Sequence, residues 1–186
     1  HNIQNIVGVS ALLLEKELIS IEDLTQGVKT FKGIVRRLDK KSEKTTLPIY
    51  EGFGSSFDKA RSAIEAIRLH FPTHNLVIIF EPHTFSWRNR QALPWYDTVF
   101  TGAKRVFIYK PPDHGATTHE QLTLTEIASR VKQTGLETQT FETVSQGVST
   151  IVSSLTKEDV VLILSSGGMD GLLDTLIPTI EQHFPQ

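Results

Sequence analysis

Ten consecutive residues, Glu81-Pro82-His83-Thr84-Phe85-Ser86-Trp87-Arg88-Asn89-Arg90, place a carboxylate, an imidazole, an indole and two guanidiniums directly after an apolar run. An arginine can hold a carboxylate through two parallel hydrogen bonds, and a histidine can take or give a proton near neutral pH. A structural alternative stands beside this chemistry: Glu81 paired with Arg88 or Arg90, and Trp87 packed on a neighbour. A second segment, Tyr50-Glu51-Gly52-Phe53-Gly54-Ser55-Ser56-Phe57, sets two glycines and two serines before a helical pattern. Such a stretch can form an anion-binding helix N-terminus, and Ser56 is equally an ordinary N-cap. The third is Ser165-Ser166-Gly167-Gly168-Met169-Asp170-Gly171, a glycine-rich turn that permits close backbone approach to a ligand. It has neither G-x-G-x-x-G spacing nor a P-loop lysine. No H-E-x-x-H or G-x-S-x-G occurs, and Pro72 between His70 and His74 argues against one helical face there. Asp113, His114 and His119 share a loop. No metal site is expected from these spacings.

The elements that must carry these segments follow from hydrophobic periodicity. Residues 2–18 read as an amphipathic helix, and Ser20 with Asp23 forms a capping box for a second helix running to about Thr30. Short strands are expected at 34–38 and 47–50, paired across a polar turn. Beyond them the pattern alternates: helix 57–71, strand 76–80, helix 89–99, strand 105–109, helix 121–134, strand 137–141, helix 144–155, strand 160–164 and helix 170–183. This rhythm predicts an α/β fold, a Rossmann-like mostly parallel sheet with helices on both faces. Ligands of such sheets gather at the carboxyl ends of the strands, where the three segments lie. The expected division is a main domain over 32–186, preceded by two helices over 1–31.

Composition narrows the class. The chain has 186 residues, 39% hydrophobic and 22% charged, with no cysteine and no run of about 18 apolar residues. A disulfide scaffold, a thiolate metal site and a membrane-spanning helix are thereby excluded. The net charge of −2 conceals a split, +5 over residues 1–112 and −7 over 113–186. Arg36, Arg37, Lys40, Lys41 and Lys44 form a basic cluster, opposed locally by Asp39 and Glu43. It reads as a solvated hairpin or as a small patch that meets phosphates. It is too short for the extended, aromatic-bearing face that nucleic acid requires. The first residue is His1, with no signal-peptide pattern behind it, so the chain is expected to start inside a longer protein.

In order along the chain, these pieces resemble the Mur ligases, the ATP-dependent amide ligases of peptidoglycan precursor synthesis. His1-Asn2-Ile3-Gln4-Asn5 resembles their H-N-x-x-N segment. Phe31-Lys32-Gly33-Ile34-Val35-Arg36-Arg37-Leu38 is similar to the F-x-G-x-x-R-R junction between their central and C-terminal domains. Glu81-Pro82-His83-Thr84-Phe85-Ser86 is similar to a segment of the UDP-N-acetylmuramate–L-alanine ligases and murein-peptide ligases, and Ser166 to Gly171 resembles the N-G-G-x-x-G end of the latter.

The resemblance implies that residues 1–31 are the last helices of a central ATPase domain and that 32–186 form the C-terminal domain. It implies that Asn2 and Asn5 bind adenine and that Arg37 reaches the ribose or phosphates of ATP. The acceptor would be received by His83, Ser86, Arg88, Ser55, Ser56, Gly167 and Gly168. The parent enzyme would use ATP and Mg²⁺, bound mainly by the central domain, to join L-alanine or a murein peptide to UDP-N-acetylmuramate in the cytoplasm. Neither nucleic acid nor membrane is an expected partner. Where the family often reads Y-D-D-Y-A-H-H-P, this chain reads Tyr50 to Phe57 as given above, without the second Asp or either His. An Arg expected after Ser86 is replaced by Trp87, with Arg88 one position later. That departure keeps a second reading open, a non-catalytic ligand-binding module on the same fold. A third is a free-standing nucleotide-binding domain.

Overall fold

The computed structural model describes residues 2–31, 33–112 and 120–186. The chain divides into two compact units, His1–Gly33 and Ile34–Gln186. The loop holding Asp113, His114 and His119 lies outside the described residues.

The first unit is a pair of helices, α1 (Asn2–Glu15) and α2 (Ile21–Thr30). The expected helix 2–18 stops at Glu15, and Glu17 takes a left-handed conformation with φ 53°. The expected capping box forms: Ser20 Oγ accepts from the Asp23 amide at 3.0 Å, and Asp23 Oδ2 accepts from the Ser20 amide at 3.1 Å. Among the described residues of this unit none is fully buried. Ile3, Val7, Leu18 and Ile21 are each more than 60% exposed.

The second unit is built on a six-stranded sheet in the order β1-β2-β6-β3-β4-β5. The strands are β1 (Arg37–Lys40), β2 (Ile49–Gly52), β3 (Asn75–Phe80), β4 (Arg105–Tyr109), β5 (Glu137–Phe141) and β6 (Asp159–Leu164). All neighbours are parallel except β1 and β2. The helices are α3 (Phe57–His70), α4 (Phe85–Arg88), α5 (Leu124–Gln133), α6 (Val144–Ser154) and α7 (Leu172–His183). Strand alternation sends Leu76, Ile78, Phe80, Val160, Leu162 and Leu164 into one apolar cluster with Ile64 and Ile67 of α3 and Ile127 and Val131 of α5. Val77, Ile79, Val161 and Ile163 join Ile151 of α6 and Leu172, Leu176 and Ile180 of α7 on the other face. Burial on both faces explains why 76–80 of β3 and 160–164 of β6 are continuous apolar runs.

Five expected boundaries are corrected. The strand expected at 34–38 begins at Arg37, because Arg36 and Leu38 are both left-handed, with φ 63° and 55°, and the register shifts between Arg37 and Asp39. The strand expected at 47–50 runs Ile49–Gly52. The helix expected at 89–99 is a 3₁₀ helix, Arg90–Asp97, with Pro94 inside and Asn89 capping the Gln91 amide at 3.0 Å. A separate turn of helix, α4, forms within the expected loop before it. The helix expected from 121 begins at Leu124, since Thr123 and Glu126 form the capping box and Gln121 bridges to Asn89. The last helix begins at Leu172 after a 3₁₀ turn, Met169–Gly171, in which Met169, Asp170 and Gly171 are all left-handed.

Candidate functional site

The carboxyl ends of β2, β6, β3 and β4 form one edge, and the three segments meet there. Phe80 is in register with Leu164, so Glu81 and Ser165 leave adjacent parallel strands side by side. Both are buried, at 4% and 2% exposure. Pro82 sits in a tight turn closed by the His83 amide donating to the Glu81 carbonyl at 2.8 Å, which folds the imidazole back over the carboxylate. The Gly167 amide donates to Ser165 Oγ at 2.8 Å, the Ser165 hydroxyl donates to Glu81 Oε2, and Glu81 Oε1 lies 3.3 Å from His83 Nδ1. A Cβ on Gly167 would stand 2.6 Å from Glu81 Oε2 and from His83 Cε1. That position is glycine because the imidazole occupies the space.

Arg36 braces this arrangement. Its Nη2 donates to the carbonyls of Ser165 at 3.1 Å and Gly167 at 2.7 Å, while Nε pairs with Glu51 Oε1 at 2.7 Å. The other oxygen of the buried Glu51 pairs with Lys41 Nζ at 2.9 Å. Burial pulls the Lys41 pKa down, but the hydrogen bonds to Glu51 and Asp39 outweigh it, and the net direction is upward. The Phe53 ring lies 5.5 Å from both Arg36 and Lys59.

A second cluster adjoins the first. The Ser55 carbonyl accepts from Thr84 Oγ1 at 2.9 Å and from Ser86 Oγ at 3.2 Å, and the Gly54 carbonyl accepts from the fully buried indole of Trp87 at 2.7 Å. Lys59 Nζ donates to Ser55 Oγ at 2.9 Å. Ser56 stands at the N-cap of α3 without a side-chain cap bond. Gly52 and Gly54 lie hard against Leu164, since added Cβ atoms would sit 3.1 and 3.0 Å from its side chain. The glycines thus have a packing reason.

The alternative ion pair of Glu81 with Arg88 or Arg90 does not form. Glu81 is engaged by Ser165 and His83, and Arg90 pairs with Glu120 at 2.8 Å and Glu126 at 2.9 Å. Arg88 is buried, bonding to the Pro112 carbonyl at 3.0 Å and Gln121 Oε1 at 2.8 Å, and burial lowers its pKa. Trp87 does pack as that alternative had it, against Phe80, Trp95 and Tyr96.

Structure therefore brings His83 and Gly167 together, and Ser55, Ser86 and Trp87 beside them. Gly168 is exposed with open space around it. Arg37 is exposed on β1, between its two left-handed neighbours. Asn5 is exposed on α1 in the other unit, and the Asn2 side chain lies outside what is described. Among the described residues of the basic cluster, Arg36, Lys40 and Lys41 are engaged in ion pairs, and Arg37 and Lys44 are not. Ser165 and Arg36 stood in a candidate segment and in the basic cluster without a role of their own, and the Tyr109–Asp170 contact was missed. The signal for Ser165 was available: it and Glu81 each follow an apolar strand run, and parallel register pairs them.

Tyr109 donates to Asp170 at the end of β4. Burial raises its pKa first, and the Asp170 hydrogen bond adds to that. Burial alone raises Tyr96, whose hydroxyl donates to the Trp87 carbonyl at 2.8 Å. Folded pKa values above the ordinary value of about 10 mean stabilisation that is complete below that pH and lost as pH rises through the folded values. Alkaline titration followed by phenolate absorbance is expected to show Tyr96 and Tyr109 ionising only as the chain unfolds. Full ionisation of all three tyrosines before loss of secondary structure would contradict this.

The fold is similar to that of parts of solved Mur ligases, and the chain's curated relatives are Mur ligases. No protein-family model matches it. Over most of its length its curated relatives are UDP-N-acetylmuramate–L-alanine ligases. That of Desulfitobacterium hafniense (strain Y51) is 26% identical over 168 residues, 90% of this chain and 37% of the relative. The chain thus spans about a third of the length of the relatives it matches. Among solved structures, UDP-N-acetylmuramate-alanine ligase from Thermotoga maritima superposes with TM-score 0.77 at 18% identity, over 98% of this chain and 38% of that one. A murein peptide ligase from Psychrobacter arcticus 273-4 superposes at 0.65 and 16% identity, over 88% and 33%. A MurF ligase among the neighbours was solved in complex with ADP.

Proposed function

We propose that the chain is the C-terminal, acceptor-binding and ATP-closing part of a Mur ligase that joins L-alanine or a murein peptide to UDP-N-acetylmuramate. Residues 1–31 are then the terminal helices of the central ATPase domain, and 32–186 the C-terminal domain. The names of the relatives support this reaction. ATP would activate a muramoyl carboxylate as an acyl phosphate, and the acceptor's amino group would displace phosphate. The domain would close over that centre and exclude water. Asn2 and Asn5 would meet adenine, whose donor and acceptor edge an amide matches. His83, Ser86, Ser55, Ser56, Gly167 and Gly168 would line the acceptor's cradle. The buried bonds of Arg88 suit a scaffold for that cradle more than direct contact. Among the described residues no group of three or more His, Cys, Asp or Glu is arranged to hold a metal, so Mg²⁺ is assigned to no residue here. ATP and UDP-sugars would place the enzyme in the cytoplasm, and among the described residues no helix is long and apolar enough to cross a membrane.

The observation that carries the chain's part in this reaction is Arg37. It is exposed, enters no ion pair among the described residues, and is presented by two non-glycine residues in left-handed conformation. Such conformations cost on the order of 1–3 kcal/mol each and persist where surroundings impose them. In the full-length enzyme, Arg37→Ala is expected to lower kcat/KM for ATP about 10- to 100-fold, the range for losing a charged hydrogen bond. Unchanged kinetics would remove Arg37 from the site.

One observation favours the second reading, a non-catalytic module: Gly52, Ser55 and Ser56 stand where the family often has Asp and two His. Full-length protein that binds ATP yet joins neither acceptor to UDP-N-acetylmuramate would decide for the module.

A further inference from the structure

We propose that Glu81 is a positioning residue that fixes the tautomer of His83, holding the proton on Nδ1 and the lone pair on Nε2. The order of hydrogen bonds dictates this. A backbone amide only donates, so the Gly167 N–H, 2.8 Å from Ser165 Oγ, commits that oxygen as its acceptor. The Ser165 proton is therefore directed to Glu81 Oε2. An ionised carboxylate only accepts, so the group facing Glu81 Oε1 at 3.3 Å, His83 Nδ1, must be the donor. Glu81 and Ser165 are buried at 4% and 2% exposure, and the His83 side chain is 30% exposed. The carboxylate is thus a fixed part of the interior, while the imidazole reaches the edge of the sheet. Gly167 closes against both groups, and Arg36 holds Gly167 through its carbonyl at 2.7 Å.

The consequence for catalysis rests on the acceptor-binding reading of this loop. When the acceptor's amino nitrogen attacks the acyl phosphate, the C–N bond forms and the C–O bond to phosphate breaks. Phosphate leaves with the electron pair, and the nitrogen must shed one proton. His83 in the tautomer set by Glu81 takes that proton on Nε2, and the buried carboxylate balances the imidazolium so formed. A carboxylate that orients a histidine also decides which nitrogen is basic.

Nitrogen-15 NMR of the His83 ring in the 186-residue chain tests the tautomer directly. The Nδ1–H form is expected to dominate in the neutral ring. In Glu81→Gln the amide carbonyl can accept from Ser165 while its NH₂ meets Nδ1, so the proton is expected to move to Nε2. Ser165→Ala leaves the carboxylate in place and is expected to keep the Nδ1–H form. An Nε2–H form in the wild type, or an unchanged tautomer in Glu81→Gln, would overturn the assignment. Inversion in both variants would trace the effect to loop collapse and overturn it as well. In the full-length ligase, Glu81→Gln is expected to lower kcat about 100-fold or more, with KM for ATP unchanged, and an unchanged kcat would overturn the catalytic role. A full-length wild type that ligates nothing would instead sink the functional reading, and the ring tautomer would still decide the role of Glu81.

Discussion

Trp87→Ala is expected to destabilise the second unit by about 3–5 kcal/mol, the range for removing a large buried aromatic. The indole is fully buried, edge-on to Phe80 at 5.1 Å and to Trp95 at 5.7 Å, with Tyr96 tilted at 5.7 Å. Truncation leaves a cavity among three aromatic rings and strips the Gly54 carbonyl of its donor. For a domain of this size each kcal/mol moves Tm by roughly 2–4 °C, so thermal unfolding should fall by roughly 6–20 °C. Trp87→Phe, which keeps one buried aromatic ring but loses the N–H and part of the indole's bulk, should fall by less. A Tm within about 2 °C of wild type for the alanine variant would show that the ring does not hold the loop.

Gly167→Ala is expected to act on chemistry more than on stability. The added methyl would enter the space of the His83 ring and stand 2.6 Å from Glu81 Oε2, so one of the two must move. Overpacking of this kind costs about 1–3 kcal/mol, which a surface loop can relieve by shifting. Relief comes at the expense of the His83–Glu81 contact. The chain should fold with its Tm lowered by less than about 10 °C, while on the proposed function the full-length protein loses about 100-fold in kcat. Full activity with a normal fold would mean that the imidazole is not held where the acceptor reacts.

Much of the scaffold was legible before any coordinates. Strands flanked by helices on both faces must be apolar along their buried length, and 76–80, 106–109 and 160–164 are. The capping box at Ser20 and Asp23 is a local device, and it formed as read. The failures have physical causes. Pro94 lies inside a stretch whose apolar spacing imitates an α-helix, and the chain resolves the conflict as a 3₁₀ helix. Nothing in the composition of Ile34 to Leu38 announces that an arginine and a leucine will adopt left-handed backbone, because tertiary contacts impose it. The pairing of Glu81 with Ser165 spans 84 positions and depends on strand order, which periodicity leaves open. The segment after β3 was singled out for the right residue types, yet its guanidiniums point to structural partners.

The order of strands in space has a consequence for how the molecule is made. β6, the last of these strands in chain order, is inserted between β2 and β3, which pair with it across 112 and 84 positions. Until residue 164 has left the ribosome, the hairpin of β1 and β2 and the block of β3, β4 and β5 have no shared ladder. The unfinished edges of β2 and β3 are apolar and unpaired, the condition in which nascent chains draw chaperones or aggregate. Long-range closure of this sort also slows folding. Because Ser165 and Gly167 ride on the end of that same strand, the polar cluster around Glu81 is assembled in the final stage. A chain arrested before residue 159 would carry Glu81 and His83 without the Ser165 and Gly167 that pack against them.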